Sequence, residues 1–258
     1  MTRRIVVTGS ASGIGRATAD LLRERGDDVI GVDLRDADVA ADLSTPEGRA
    51  AAAAAVAERC PEGIDAIVAC AGLSGVTPLL VQVNYFGVTE LLTALRPLLA
   101  KSAEPRAVVI GSISGTMPHD AELVDACLAG DEQLAVKLAQ AAVDRGEPRK
   151  LYPSSKAALA RWIRRTAIAP GWADAGIPLN AVAPGNVLTP MMQPILDDPE
   201  MKKVMDQAVP MPLNGYAKPE VLARALTWLV SPENSHITGQ TIYVDGGAEV
   251  TTRGDGRW

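Results

Sequence analysis

Short apolar runs alternate along the chain with longer segments in which apolar residues recur at helical spacing. The runs predict strands, and most are rich in β-branched residues: 3–8, 29–33, 64–70, 107–112, 179–183 and 241–244. The helix-length segments between them are 13–26, 46–59, 78–100, 152–173 and 219–230. Strands that are apolar on both faces are typical of a parallel sheet covered by helices on each side. The pattern therefore predicts an α/β fold with a doubly wound, Rossmann-like parallel sheet.

Two segments depart from this alternation. Residues 116–150 carry charged residues among Leu and Ala, and they predict one or two helices inserted between a strand and the next core helix. The last residues, 251–258, are expected to form a poorly ordered tail. Because neither a linker nor a repeat interrupts the pattern, we expect one nucleotide-binding domain over 1–258.

Composition and charge argue against several classes of partner. The chain has 258 residues, is 47% apolar and carries a net charge of −6, with no run of Lys or Arg longer than a pair. Binding to nucleic acid or to an anionic membrane surface is therefore disfavoured. The N-terminal apolar run is too short for a signal sequence, and no 18-residue apolar segment follows. We expect a cytoplasmic protein.

Metal and hydrolase chemistry are also disfavoured. The three cysteines, Cys60, Cys70 and Cys127, lack metal-site spacing, and we expect them to be reduced and mostly buried. His119 and His236 are far apart, and neither has a carboxylate at a spacing that suggests a metal site or a Ser-His-Asp triad. No metal is expected.

A glycine-rich turn joins the first predicted strand to the first helix. Glycines allow the main chain to approach a pyrophosphate, and a helix N-terminus directs free N–H groups towards it. The alternative is a plain tight turn, but the position between strand and helix favours a dinucleotide site. The predicted contacts are Gly9, Ser12, Gly13, Ile14 and Gly15.

Asp33 ends the second predicted strand, 18 residues after Gly15. A carboxylate there accepts hydrogen bonds from adenosine ribose hydroxyls and repels a 2′-phosphate, which favours NAD over NADP. A solvated aspartate is the alternative, and Arg35 is a guanidinium that could bind a 2′-phosphate.

Tyr152 and Lys156 stand at i and i+4, so a phenol and an ammonium share one face of a helix. A nearby cation stabilises phenolate and is expected to lower the pKa of the tyrosine. Ser112 ends the fourth predicted strand, at the sheet edge where ligands of open α/β folds bind. Its hydroxyl could bind a substrate oxygen; Ser114 is the second candidate for this role, and a turn or capping function is the alternative for both.

In combination, these motifs resemble the short-chain dehydrogenase/reductase family over nearly the whole chain. The matching residues, in family order, are Thr8-Gly9-(x)3-Gly13-Ile14-Gly15, Asp42-Leu43, Ala71-Gly72, Asn84, Ser112, Tyr152 with Lys156, Pro184-Gly185 and Asp245-Gly246-Gly247.

The resemblance implies roles for the matching residues. Tyr152 would be the general acid/base and Ser112 would orient the substrate oxygen. Lys156 would lower the Tyr152 pKa and, with Tyr152, bind the nicotinamide ribose, while Asn84 would support a water-linked proton relay. The other cofactor contacts implied are Asp42 and Leu43 at the adenine, Ala71 and Gly72 near the adenosine ribose, and Pro184, Gly185, Val187 and Thr189 near the nicotinamide. Cys70 stands where the family often has Asn.

Within the family, the chain is similar to the bacterial 3α-hydroxysteroid dehydrogenase/carbonyl reductase group. The segments 32–36, 41–44, 70–73 and 83–87 carry the similarity, as do the 40 residues from Ser112 to Tyr152. In that group, the insertion implies that the usual four-helix association face is obstructed. We therefore expect a homodimer formed elsewhere rather than a tetramer.

Five of the seven methionines fall between Met191 and Met211, in the segment that the family uses as a substrate lid, about 187–215. Flexible thioethers suit a bulky apolar ligand, although such a stripe could also simply pack on the core. The predicted substrate contacts are Ser114, Met191, Met192, Ile195 and Met205.

Two classes of function remain at this point. The first is NAD-dependent interconversion of a secondary alcohol and a ketone on an alicyclic or steroid-like substrate, with a monoterpene alcohol, a cis-diol or an aryl ketone as alternatives. The second is a nucleotide-binding protein without catalysis. The intact set of Ser112, Tyr152, Lys156 and Asn84 favours the enzyme.

Overall fold

A computed structural model describes residues 2–256. Seven parallel strands form one sheet in the order β3-β2-β1-β4-β5-β6-β7. The strands are β1 (Arg4–Thr8), β2 (Asp28–Asp33), β3 (Val39–Ala40), β4 (Ala66–Ala69), β5 (Arg106–Ile110), β6 (Leu179–Pro184) and β7 (Thr241–Val244). The predicted parallel α/β fold is confirmed.

Eleven α-helices lie among the described residues, several of them short. They are α1 (Gly13–Glu24), α2 (Pro46–Arg59), α3 (Leu79–Val81), α4 (Gly87–Leu99), α5 (Ala121–Ala129), α6 (Glu132–Asp144), α7 (Leu151–Thr166), α8 (Gln193–Leu196), α9 (Pro199–Ala208), α10 (Pro219–Leu229) and α11 (Ala248–Arg253).

Helices cover both faces of the sheet because the strand side chains alternate between two apolar layers. Ile5 and Val7 pack with α1 and α10 in one layer. Val6 and Ile67 lie in the other layer, with α2, α4 and α7. Every one of these side chains is fully buried, which explains why the strands are apolar throughout.

The strand order reverses beside β1, which pairs with β2 on one side and β4 on the other. Connections from the two strands therefore leave in opposite directions and open a crevice at the carboxyl ends of the sheet. The glycine-rich turn and the Tyr152 helix both face this crevice.

Several element boundaries differ from prediction. The two-residue strand β3 was not predicted, because it is too short to produce an alternating pattern. The predicted helix 78–100 is divided by a π-helical turn at Gln82–Phe86. The predicted helix 152–173 ends as α7 at Thr166, shortly before Pro170, because proline restricts the residue before it to non-helical backbone.

The insertion was predicted to form one or two helices, and it forms two, α5 and α6. Asp120 and Asp131 cap their N-termini, accepting hydrogen bonds from the N–H groups of Leu123 and Leu134 at 3.1 and 2.9 Å. Gly130 between the helices has φ of +77°, a conformation that favours glycine. Helix α5 packs against α7, so the insertion is part of the folded core.

The prediction of a poorly ordered tail over 251–258 is wrong for residues 251–253. Residues 248–253 form α11, and Asp245 receives hydrogen bonds from the N–H groups of Gly247 and Glu249 just before it. Arg257 and Trp258 lie outside the described residues.

Residues 2–256 also bear on membrane and metal binding. No helix there combines the length and apolar character that a bilayer span needs. No cluster of three or more His, Cys, Asp or Glu side chains in the same range is arranged to hold a metal ion.

Candidate active site

A cavity of about 600 Å³ lies at the carboxyl ends of the strands. All of the predicted cofactor-contacting and substrate-contacting residues line it, together with Ser112, Tyr152 and Lys156. Asn84 is the one predicted residue that does not. The structure therefore brings together motifs that are spread over most of the sequence.

The glycine-rich turn is closely packed and would not admit side chains. A Cβ on Gly15 would lie 2.1 Å from the Gly9 carbonyl oxygen, and one on Gly9 would lie 2.8 Å from the Ala71 nitrogen. Gly9 and Gly13 also have φ of +66° and +54°. Ser12 makes no side-chain capping bond at the start of α1, which leaves the helix N-terminus available to an anion.

Main-chain hydrogen bonds hold the Asp33 carboxylate in the cavity wall. Its two oxygens accept from the N–H groups of Ala11, at 3.0 Å, and Leu34, at 2.7 Å. Arg35 is exposed and does not line the cavity. The charge at this end of the cavity is therefore a carboxylate rather than a guanidinium.

The segment after β3 continues this wall. The Ala41 N–H group donates to the Asp33 carbonyl at 2.8 Å, and Asp42 accepts from the Ser44 N–H group at 2.9 Å. The hydrogen bonds from Ser44 lower the pKa of Asp42. Leu43 is buried against Gly87, where a Cβ would come within 3.0 Å of the Leu43 carbonyl oxygen.

Tyr152 and Lys156 lie one turn apart on α7, with the lysine Nζ 5.8 Å from the centre of the phenol ring. Lys156 is buried, and its Nζ donates to the Ile110 carbonyl at 2.9 Å. Ser112 follows β5, and its Oγ accepts from the Ser114 N–H group at 3.1 Å. Ser112 thus has the turn-capping role considered above, and it also faces the cavity.

Burial dominates the electrostatics of this group. It raises the pKa of Tyr152 above its ordinary value of 10.0, although a hydrogen bond with Ser112 acts in the opposite direction. Burial lowers the pKa of Lys156 to about 8, and the nearby Cys70 opposes this change. The expectation that Lys156 leaves the tyrosine with a lowered pKa is wrong for the protein alone, because desolvation of the phenolate is the larger effect.

Asn84 does not line the cavity, and its side chain binds mainly main-chain groups. It is fully buried in the π-helical turn, and its amide oxygen accepts from the Leu73 N–H group at 2.7 Å. The amide nitrogen donates to the Leu73 carbonyl at 3.0 Å and to Ser155 Oγ at 3.4 Å. The side chain therefore holds the main chain of Leu73, next to Gly72.

The methionine-rich segment is divided between the cavity and the surface. Met191, Met192 and Met205 line the cavity, whereas Met201 is 50% exposed. Helix α9 has no buried residue, so this part of the segment lies at the surface rather than in the core. Met211 is different, because its sulfur accepts from the Asn186 N–H group at 3.1 Å and packs near Gly185.

Several wall residues were not predicted as contacts. Leu73, Leu79 and Val209 add apolar surface, and Cys70 lies at the end of β4 close to Lys156. Burial raises the pKa of the Cys70 thiol to about 12. Cys70 could have been predicted as a wall residue, because it directly precedes the Ala71-Gly72 motif. Leu79 and Val209 reach the cavity only in the folded chain.

Two protein-family models match successive parts of the chain. A family model described as short chain dehydrogenase matches residues 3–124. A second, described as enoyl-(acyl carrier protein) reductase, matches residues 129–249.

Individual relatives are similar over almost the full length. The chain is 41% identical to the 3-alpha-hydroxysteroid dehydrogenase/carbonyl reductase of Comamonas testosteroni over 254 residues, covering 96% of this chain and 97% of the relative. It is 30% identical to the galactitol 2-dehydrogenase (L-tagatose-forming) of Cereibacter sphaeroides, covering 95% and 94%. The crystal structure of the 3-alpha-hydroxysteroid dehydrogenase from Pseudomonas sp. B-0831 complexed with NADH shares 43% identity, with a TM-score of 0.91 and coverage of 98% and 100%. The chain therefore belongs to the short-chain dehydrogenase/reductase family of oxidoreductases.

Proposed function

We propose that the protein is an NAD(H)-dependent oxidoreductase that interconverts a secondary alcohol and a ketone on an apolar, alicyclic or steroid-like molecule. The observation that carries this proposal is the juxtaposition of Ser112, Tyr152 and Lys156 with a wall of aliphatic and thioether side chains in one cavity. The names of the Comamonas and Pseudomonas relatives support the same substrate class.

The cavity wall fits a dinucleotide without a 2′-phosphate. Gly9 and Gly15 have no room for a side chain, and the uncapped start of α1 favours a pyrophosphate. The Asp33 carboxylate would accept from ribose hydroxyls and repel a 2′-phosphate, and Arg35 lies outside the wall. Asp42, Leu43, Ala71 and Gly72 would complete the adenosine side, and Pro184, Gly185, Val187 and Thr189 the nicotinamide side.

The chain's own residues would move the proton. When bound, the nicotinamide supplies hydride exchange with the carbinol carbon. Tyr152 accepts the hydroxyl proton during oxidation and returns it to the ketone oxygen during reduction, while the Ser112 hydroxyl holds that oxygen. The hydrogen bond with Ser112 partly offsets the effect of burial on the Tyr152 pKa, and an ammonium at Lys156 would further favour the phenolate.

The substrate side supports a bulky apolar ligand. Met191, Met192, Ile195 and Met205 provide flexible apolar surface, and among residues 2–256 Tyr152 is the sole aromatic residue in the cavity wall. Such a wall binds through shape and apolar contact rather than by ring stacking. Ser114 borders the same space.

The decisive assay follows absorbance at 340 nm with NAD or NADP over a panel of secondary alcohols and ketones that includes steroids, monoterpenes, cis-diols, aryl ketones, sugars and acyl thioesters. We expect turnover of alicyclic substrates with NAD. Turnover confined to sugars or thioesters would overturn the substrate class, and NADH binding without turnover of any substrate would indicate a non-catalytic nucleotide-binding protein.

Tyr152→Phe tests the role of the phenol. It removes only the hydroxyl, so turnover should be lost while NADH affinity, measured by titration calorimetry, changes little. Tyr243→Phe is the matched control, since it removes the same hydroxyl from a tyrosine that does not line the cavity. Wild-type turnover by Tyr152→Phe would exclude the tyrosine as acid/base.

The same proposal includes a cytoplasmic homodimer. The three cysteines are unpaired, as suits a reducing compartment. Helices α5 and α6 add bulk next to α7, where the family resemblance implies an obstructed four-helix face. Sedimentation equilibrium should give twice the monomer mass. A value of four times the monomer mass would exclude the dimer.

A further inference from the structure

Arg49 of α2 is a buried cation that the reaction chemistry does not use. The residue is only 2% exposed. A buried guanidinium needs several acceptors to offset its loss of hydration, so its partners show which segments depend on it.

Two carboxylates and two carbonyls surround this guanidinium. Its Nε donates to Glu90 of α4 at 2.7 Å, and both Nη atoms donate to the carboxylate of Glu132. Nη1 also donates to the carbonyls of Leu43 and Ser44, at 3.3 and 3.4 Å. Glu132 is the first residue of α6 and thus belongs to the insertion.

The two carbonyls belong to the cavity wall. Leu43 and Ser44 both line the cavity, and their segment is joined to β2 through the hydrogen bond from Ala41 to Asp33. Gln82 adds one further bond, donating to the Ser44 carbonyl at 3.3 Å. Arg49 therefore contacts both the insertion and the part of the cavity wall that faces the predicted adenosine half of the cofactor.

We propose that Arg49, oriented by Glu132, is a positioning residue for the dinucleotide, and that the insertion thereby sets cofactor affinity. This inference rests on the proposed NAD(H) dependence. Glu132 fixes the guanidinium by a two-point contact, and the guanidinium in turn fixes the carbonyls of Leu43 and Ser44. Without the charge of Glu132, the buried cation keeps one carboxylate partner, Glu90, and loses the two-point contact that fixes both Nη atoms.

Glu132→Gln tests this link because it preserves size while removing the charge. Titration calorimetry with NADH and with ADP-ribose should show both dissociation constants raised by the same factor, about fivefold. The turnover number at saturating NAD should not change, since the catalytic residues are untouched. Hydrogen–deuterium exchange should increase at residues 43–45.

Asp120→Ala is the matched control. It removes the N-cap of α5 and its ion pair with Arg145, and so loosens the insertion without touching Arg49. If Glu132→Gln proves too unstable to purify, Glu132→Asp shortens the same contact and should raise both dissociation constants to a smaller extent.

The outcomes separate this inference from the proposed function. Failure of the wild-type protein to bind NADH would overturn both. Wild-type binding with an unchanged affinity in Glu132→Gln, or with equal losses in Glu132→Gln and Asp120→Ala, would overturn the positioning role alone.

Discussion

Replacing Lys156 with methionine should stabilise the protein alone at neutral pH. The pKa of this lysine, about 8, lies below the ordinary value of 10.5, so burial of the ammonium opposes folding. At 1.36 kcal/mol for each pKa unit, this lowering corresponds to roughly 3 kcal/mol at pH 7. Loss of the hydrogen bond to Ile110 subtracts roughly 2 kcal/mol, leaving a net gain of about 1 kcal/mol.

The pH dependence has a definite sign. The penalty is fully present below pH 8 and falls away as the pH approaches 10.5, because the lysine then becomes neutral in the unfolded chain as well. From pH 7 to pH 10 the free energy of unfolding of the wild type should therefore rise by roughly 2 kcal/mol relative to that of Lys156→Met.

Urea unfolding between these pH values, without dinucleotide, measures the difference directly. Lys203→Met, at an exposed position of α9, is the control, and its difference from the wild type should change little with pH. If the difference between wild type and Lys156→Met is constant from pH 7 to pH 10, the reasoning is refuted. The stabilised variant should also lose turnover, since a buried charge retained at a stability cost is typical of an active site.

Three further predictions concern the cofactor and the phenol. The kcat/KM for alcohol oxidation should rise with pH between about 7 and 9, because burial raises the Tyr152 pKa and phenolate is the required form; initial rates that fall over this range would contradict that role. Asp33→Ala should reduce the ratio of kcat/KM for NAD to that for NADP by roughly tenfold, because the variant no longer repels a 2′-phosphate. An unchanged ratio would argue against contact between Asp33 and the ribose. Gly15→Ala should abolish NADH binding in calorimetry, since its Cβ would lie 2.1 Å from the Gly9 oxygen. Gly256→Ala adds a Cβ that meets no atom within 4 Å and should bind normally, and equal binding by both variants would remove the steric argument.

Most of the fold could be predicted from the sequence because its signals are local. Buried parallel strands such as β1 and β6 require continuous apolar runs, and α1 and α2 follow recognisable turn and proline signals. Strand β3 could not be predicted, since two residues paired to β2 have no period of their own. The π-helical turn was missed because its sequence is compatible with an ordinary helix.

Much of the candidate site was also predictable. Glycine spacing and the i, i+4 pair of Tyr152 and Lys156 depend on backbone geometry within one turn. The role of Asn84 was not predictable in this way, because its amide bonds to Leu73 depend on how a distant loop folds over the π-helical turn.

The sequence by itself thus determined the order of strands and helices, the residue types at the cavity and the position of each along the chain. Only the tertiary structure decided the protonation energies and the long-range contacts of these residues. Whether Tyr152 and Lys156 titrate near their ordinary pKa depends on desolvation by surrounding segments, and whether Arg49 joins the insertion to the cavity wall depends on the approach of α6. Both are long-range effects, since they arise from atoms that are far apart in sequence and become neighbours only on folding.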